Sequence, residues 1–169
     1  CSGTRRDLQA ASKGNSNYSR LMERLKIILE EKVALYNRKE FINDDPIRFP
    51  HSFTKREDIE ISALLASVIA WGNRPMRSCN KMLHDIMGGA PYCYVMSGSW
   101  EQLDDRQNIH RTFFVADFKY ICRGLKSIYT KYGTMEALFI GCSVWEGIEN
   151  LRQELAAVNG GRMSRHISN

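Results

Sequence analysis

Residues 114–132 read FVADFKYICRGLKSIYTKY. Within them Phe114, Phe118, Ile121, Leu125, Ile128 and Tyr132 recur at alternating steps of four and three. That spacing places all six on one face of an α-helix. Gly133 supplies the left-handed residue that closes such a helix, and Thr134 can cap a further helical stretch.

Working upstream, Thr54-Lys55-Arg56-Glu57 fits a capping box. The helix it opens would bury Ile61, Leu64, Leu65, Val68 and Ile69 and end near Trp71-Gly72-Asn73. Pro75 then suits a first helical turn. Met76, Cys79, Met82, Leu83 and Ile86 form the next stripe, which Gly88-Gly89 stops. Pro91 to Ser97 reads as a short helix, and Ser99-Trp100-Glu101-Gln102 repeats the capping pattern. From Lys39 to Phe53 the prolines Pro46 and Pro50 break helical continuity. The large side chains Phe41, Ile42, Ile47, Phe49 and Phe53 mark that segment as a loop packed on a helical core.

Toward the ends, residues 1–16 are polar and read as a flexible lead-in. Ser16 or Asn17 would cap a first helix carrying Leu25, Leu29, Val33 and Tyr36 on one stripe. Val144, Ile148, Leu151 and Leu155 make the last amphipathic stripe. A polar, basic tail follows over 159–169. No segment alternates with period two. The fold expected is therefore all-α, an irregular multi-helix bundle over residues 17–158 with no sheet.

The 169 residues suit a single domain, and 43% apolar content is enough for a core. The longest apolar run, Ile61 to Trp71, is too short to span a bilayer, so no membrane partner is expected. The net charge of +5 leaves nucleic acid or an acidic surface open as a partner. Cys1, Cys79, Cys93, Cys122 and Cys142 show no C-x-x-C spacing, and their odd, scattered set fits a reducing, cytoplasmic setting. Cys79 and Cys122 fall on apolar helix faces as core residues. The chain starts at Cys1, as expected of a truncated or processed product.

No catalytic motif is complete. His51, His84, His110 and His166 lack the spacing of a helical metal motif, so neither a metal nor another cofactor is expected. There is no nucleophile elbow and no phosphate loop. Cys93 would need His51 or His110 brought to it in space. Two constellations remain. Trp71-Gly72-Asn73-Arg74 stands at a tight interhelical turn, where Asn and Arg suit a polyanion; it also reads as a helix cap with Trp71 as a core anchor. His110-Arg111-Thr112-Phe113 could bind phosphate, or pair with Asp104 or Asp105. Arg162, Arg165 and His166 form a third basic spot, on a tail that could equally be solvated.

Several stretches together resemble one family. They are Tyr36-Asn37-Arg38, Asp44-Asp45-Pro46-Ile47, Pro50-His51, Phe53, Ala70-Trp71-Gly72-Asn73-Arg74, His110-Arg111-Thr112-Phe113 and Arg165-His166-Ile167-Ser168-Asn169. The family is the uncharacterised bacterial one called domain of unknown function 2400, and the likeness covers roughly residues 20–169. That family is in turn distantly similar to helix-hairpin-helix DNA glycosylases. The link is Leu64 to Arg74 followed by a second helix through Leu83. Trp-Gly-Asn-Arg stands where those enzymes carry a Ser-Gln-Gln-Thr turn on DNA.

The resemblance implies the N-terminal helical part of such a glycosylase, with DNA as partner. Asn73, Arg74, Arg162, Arg165 and His166 would then be DNA contacts, with Trp71, Gly72, His110 and Arg111 as motif residues. The hairpin and catalytic residues of those enzymes come later in the chain, past the position of Asn169. No catalytic residue is carried over, and exposed apolar surface is expected near Val144 to Leu155. A non-enzymatic helical interaction module is the alternative, with Trp71 and His110 structural. The sequence leaves oligomeric state open.

Overall fold

A computed structural model describes residues 4–71 and 75–167, with side chains from residue 17 onward. The expectations placed on Cys1, Gly72, Asn73 and Arg74 lie outside the described residues. The chain divides into two units, Cys1–Asn43 and Asp44–Asn169.

The first unit is dominated by α1, Thr4–Tyr36, which continues unbroken past the expected caps Ser16 and Asn17. Its apolar stripe is left uncovered: Leu25, Leu29, Val33 and Tyr36 are all exposed. The ring of Phe41, at the start of α2 (Phe41–Asp44), meets Tyr36 edge-on at 5.4 Å.

The second unit is built on two long helices, α4 (Arg56–Ile69) and α7 (Val115–Tyr132). Around them stand α3 (Arg48–His51), α5 (Pro75–Asn80), α6 (Pro91–Ser97) and α8 (Val144–Ala157). The stripe on α7 is the core: Phe118, Ile121, Leu125 and Ile128 are buried, while Tyr132 at its end is exposed. Ile61, Leu65 and Ile69 of α4 face it, with Met82, Leu83, Val95 and Phe113 closing round. A smaller cluster of Ile128, Leu138, Leu151 and Leu155 joins α7 to α8. There α7 carries Gly124, and a Cβ at that position would stand 2.9 Å from the Leu155 Cα. Only hydrogen fits at so close an approach.

Several local expectations hold. Pro75 and Pro91 begin α5 and α6, and Gly133 closes α7 at φ 75°. Helix α5 continues through Lys81–Ile86 as a wider, π-type turn and stops at Gly88 and Gly89, both at positive φ. Cys79 and Cys122 are buried. Burial pushes the Cys79 thiol up to about 12, with Asp45 adding to the effect, so this sulfur stays protonated and inert.

Other expectations are corrected. A small antiparallel sheet exists, β1 (Asn108–His110) with β2 (Phe113–Phe114). It is too short for alternation to show, because its ladder is interrupted between Asn108 and His110. The segment 39–53 is not wholly loop: α2 is a single turn before Pro46, α3 a single turn that includes Pro50, and Phe49 of α3 is buried as a packed aromatic should be. Neither Thr54 nor Ser99 caps a helix. Lys55 precedes α4 without a side-chain cap bond, and the Ser99 hydroxyl meets that of Ser97 at 2.9 Å. The capping box that does form is Ser143 with Glu146, where each reaches the other's backbone N–H, at 3.3 and 2.7 Å. At α7, Asp117 accepts from the Phe114 N–H at 2.9 Å, and Phe114 has no side-chain acceptor to return the bond.

The tail also differs from a solvated terminus. Asn159 Nδ2 donates to the Tyr120 carbonyl at 3.0 Å, and the Tyr120 hydroxyl donates to the Arg162 carbonyl at 2.9 Å. Residues 159–162 thus lie against α7. The expected exposed apolar surface is present, with Ile140, Val144, Trp145 and Ile148 open to solvent. Among the described residues, no helix is long and apolar enough to cross a membrane.

Candidate anion-binding pocket

The two ends of one short hairpin turn organise the site. Asn108 begins β1, and its side-chain amide donates to the Arg111 carbonyl, 2.5 Å away. That bond holds the turn in which Arg111 adopts φ 48°. A left-handed arginine costs about 1–3 kcal/mol, so surrounding contacts must hold it. They come from both sides.

On one side stands His110, which is 5% exposed. Its Nε2 donates to the Trp71 carbonyl at 2.8 Å, because a carbonyl can only accept. Its Nδ1 faces the Ser78 hydroxyl of α5 at 2.7 Å. The Trp71 ring packs against the imidazole at 5.1 Å, nearly perpendicular, and the Arg111 guanidinium lies 5.5 Å from the Trp71 ring centre. On the other side, the Thr112 carbonyl accepts from Arg165 Nη2 at 2.6 Å and His166 Nε2 at 3.1 Å. His166 also approaches Asp117 at 3.6 Å and stacks edge-on with Phe113 at 5.3 Å.

The consequence is a cavity of about 560 Å³ lined by Arg77, Ser78, Lys81, Asn108, Ile109, His110 and Arg111. Arg77 and Lys81 stand four residues apart, so α5 and its wider turn present them on one side. Lys81 Nζ rests on the Asn108 carbonyl at 3.3 Å, which ties the helix to β1. Three cationic side chains therefore border one concavity, and no carboxylate is among its lining residues. A second concavity, of about 720 Å³, holds Arg106, Arg162 and Arg165 but also Asp105 and Asp117. Mixed sign makes it the weaker anion site, as opposed charges offset the attraction.

The structure brings together some of the residues singled out from sequence and separates others. His110 and Arg111 line the first cavity, and Trp71 packs against both without lining it. Arg165 and His166 are committed to the hairpin from behind, through Thr112, and Arg162 lines the second concavity. Asp104 and Asp105 do not take His110 or Arg111; Asp105 instead pairs with the buried Lys119 at 2.7 Å. Cys93 is exposed on α6, while His110 is engaged with Ser78 and Trp71. Sequence reasoning missed Arg77, Ser78, Lys81 and Asn108. The i, i+4 spacing of Arg77 and Lys81 was a usable signal, but nothing local joined it to a turn thirty residues on. Among the described residues no three His, Cys, Asp or Glu side chains converge as a metal site.

The class so defined is a mostly helical protein with a positively charged cavity at a hairpin. The chain belongs to the family described as Protein of unknown function (DUF2400), whose model matches residues 45–169. No curated protein and no solved structure matches it significantly.

Proposed function

We propose that this protein binds nucleic acid, DNA being the first candidate, by seating a backbone phosphate in the cavity between Arg77, Lys81 and Arg111. The observation that carries this is the convergence of three cations on a concavity whose lining includes no carboxylate. Phosphate is the ligand such a cluster favours: guanidinium groups fork onto its oxygens, and an ammonium adds a mobile point charge. The net charge of +5 works in the same direction at long range. In this proposal the glycosylase likeness of residues 64–83 extends to DNA handling, with Asn73 and Arg74 as neighbouring contacts and no residue assigned to bond cleavage.

The test is fluorescence anisotropy with a labelled oligonucleotide across a salt series. Each phosphate contact should contribute about 0.7–0.9 to the slope of log affinity against log salt. The variants Arg77→Gln and Lys81→Gln should each weaken binding and lower that slope by roughly one contact's worth. A wild-type slope near zero, or full affinity in the double variant, removes the reading. The other reading, a non-enzymatic helical interaction module, draws on the exposed apolar group Ile140, Val144 and Trp145. It expects both charge variants, and Asn73→Ala and Arg74→Ala, to leave nucleic-acid affinity unchanged.

A further inference from the structure

We infer that the ligand is single-stranded nucleic acid, with one unpaired base stacked on Trp71 while an adjoining phosphate sits in the cationic cavity. This rests on the nucleic-acid reading and goes beyond it. Two tryptophans of the second unit make the point by contrast. Trp100 is 2% exposed and gives its indole N–H to the Val95 carbonyl at 2.9 Å. Trp71 likewise donates to a backbone carbonyl, that of Val68 at 3.0 Å, yet 38% of it is open to solvent. Its polar atom is satisfied and its orientation fixed, but its apolar ring is left without full cover.

Trp71 is not itself among the residues that line the cavity, but its ring packs against two that are. His110 contacts Trp71 twice, by the carbonyl bond and by ring packing, and the same imidazole lines the cavity. Arg111 borders the cavity too and lies over the Trp71 ring. A flat aromatic surface and a cluster of cations thus share two residues. A nucleotide presents the matching pair, a planar base joined to an anionic phosphate. Because His110 is held by Ser78 and by the Trp71 carbonyl, the platform is ordered before a ligand arrives, and little freedom is lost on binding. In a duplex both faces of every base are taken by its neighbours, so a side-chain ring has nothing to stack on. A single strand offers those faces, and aromatic platforms beside basic grooves bind them with little regard for sequence.

The experiment uses the whole chain and four labelled ligands: a thymidine oligonucleotide, a uridine one, an abasic strand of equal length, and a hairpin duplex. Base-bearing single strands should bind more tightly than the duplex or the abasic strand. Trp71→Leu should lower affinity for them about tenfold, within the range known for loss of one stacked base, and leave abasic binding unchanged. Trp71→Phe, which keeps a ring, should retain most of the affinity. Loss of the Trp71 effect on one sugar but not the other still supports the stacking role and assigns the sugar. Equal affinity for duplex and single strand, or an unaffected Trp71→Leu, overturns the inference. If Trp71→Leu fails to fold, the comparison of base-bearing with abasic strands on the native protein decides alone. Weak binding by Arg77→Gln and Lys81→Gln with an indifferent Trp71 would sink this inference and leave phosphate binding standing. Indifference of all three would sink both.

Discussion

Glu60 shows how much one side chain can organise. It sits on α4, and its carboxylate accepts from the Tyr129 hydroxyl at 2.8 Å and the Thr134 hydroxyl at 2.6 Å. It also accepts from the backbone N–H groups of Met135 and Glu136, at 3.0 and 3.1 Å. Burial by itself would raise its pKa, but these four donors favour the charged form and bring it below the usual 4.5. A group lowered on folding contributes stability that is present above its unfolded value and lost as pH falls through the folded one. Stability should therefore decline below about pH 4.5 in urea titrations. Glu60→Gln should cost about 1–3 kcal/mol at pH 7, because donors are left unpaired, and should flatten that acid decline. Parallel pH profiles for variant and native protein would dismiss the role. None of this was legible in the sequence. The partners of Glu60 lie 69 to 76 residues away, and its own neighbourhood reads as an ordinary polar helix face.

At the level of elements, α7 was legible and the turns around it were not. Its stripe repeats over five turns, long enough for periodicity to outweigh any single residue. Capping boxes carry no such redundancy: Thr54, Ser99 and Ser143 all present the pattern, and only Ser143 forms one. The small sheet gave no signal because two residues of β2 cannot display a period. Packing adds a constraint that the helix pattern hides. Gly124 lies on the buried side of α7, and a methyl there would drive into Leu155 of α8. Gly124→Ala should lower stability by about 1–3 kcal/mol despite its better helix propensity. A thermal melt checks this; an unchanged or raised midpoint would mean that α8 yields freely.

For the molecule as a whole, the division at residue 43 has an energetic basis. All buried residues of both core clusters lie at Phe49 or later, inside the span that the family match covers. A fragment of residues 44–169 should therefore fold alone, with a thermal midpoint within about 4 °C of the full chain, the shift that roughly 1 kcal/mol makes. A fragment without a cooperative transition would show that α1 supplies core after all. The candidate site was only partly legible at this scale. Trp71, His110 and Arg111 carried a visible motif, whereas their union with Arg77 and Lys81 depends on β1 crossing to α5.

The grip on Thr112 carries a consequence for how the protein is made. The donors to that carbonyl, Arg165 and His166, come 53 and 54 residues later in the chain. During synthesis α4, α5 and the hairpin emerge well before them. The core can condense early, but the turn that holds Arg111 lacks its second support until the segment after α8 has been made. Long-range closures of this kind are slow relative to local helix formation. The cavity at the hairpin thus matures later than the helices that border it, and a chain stalled before Arg165 would display those helices with an unfinished cavity.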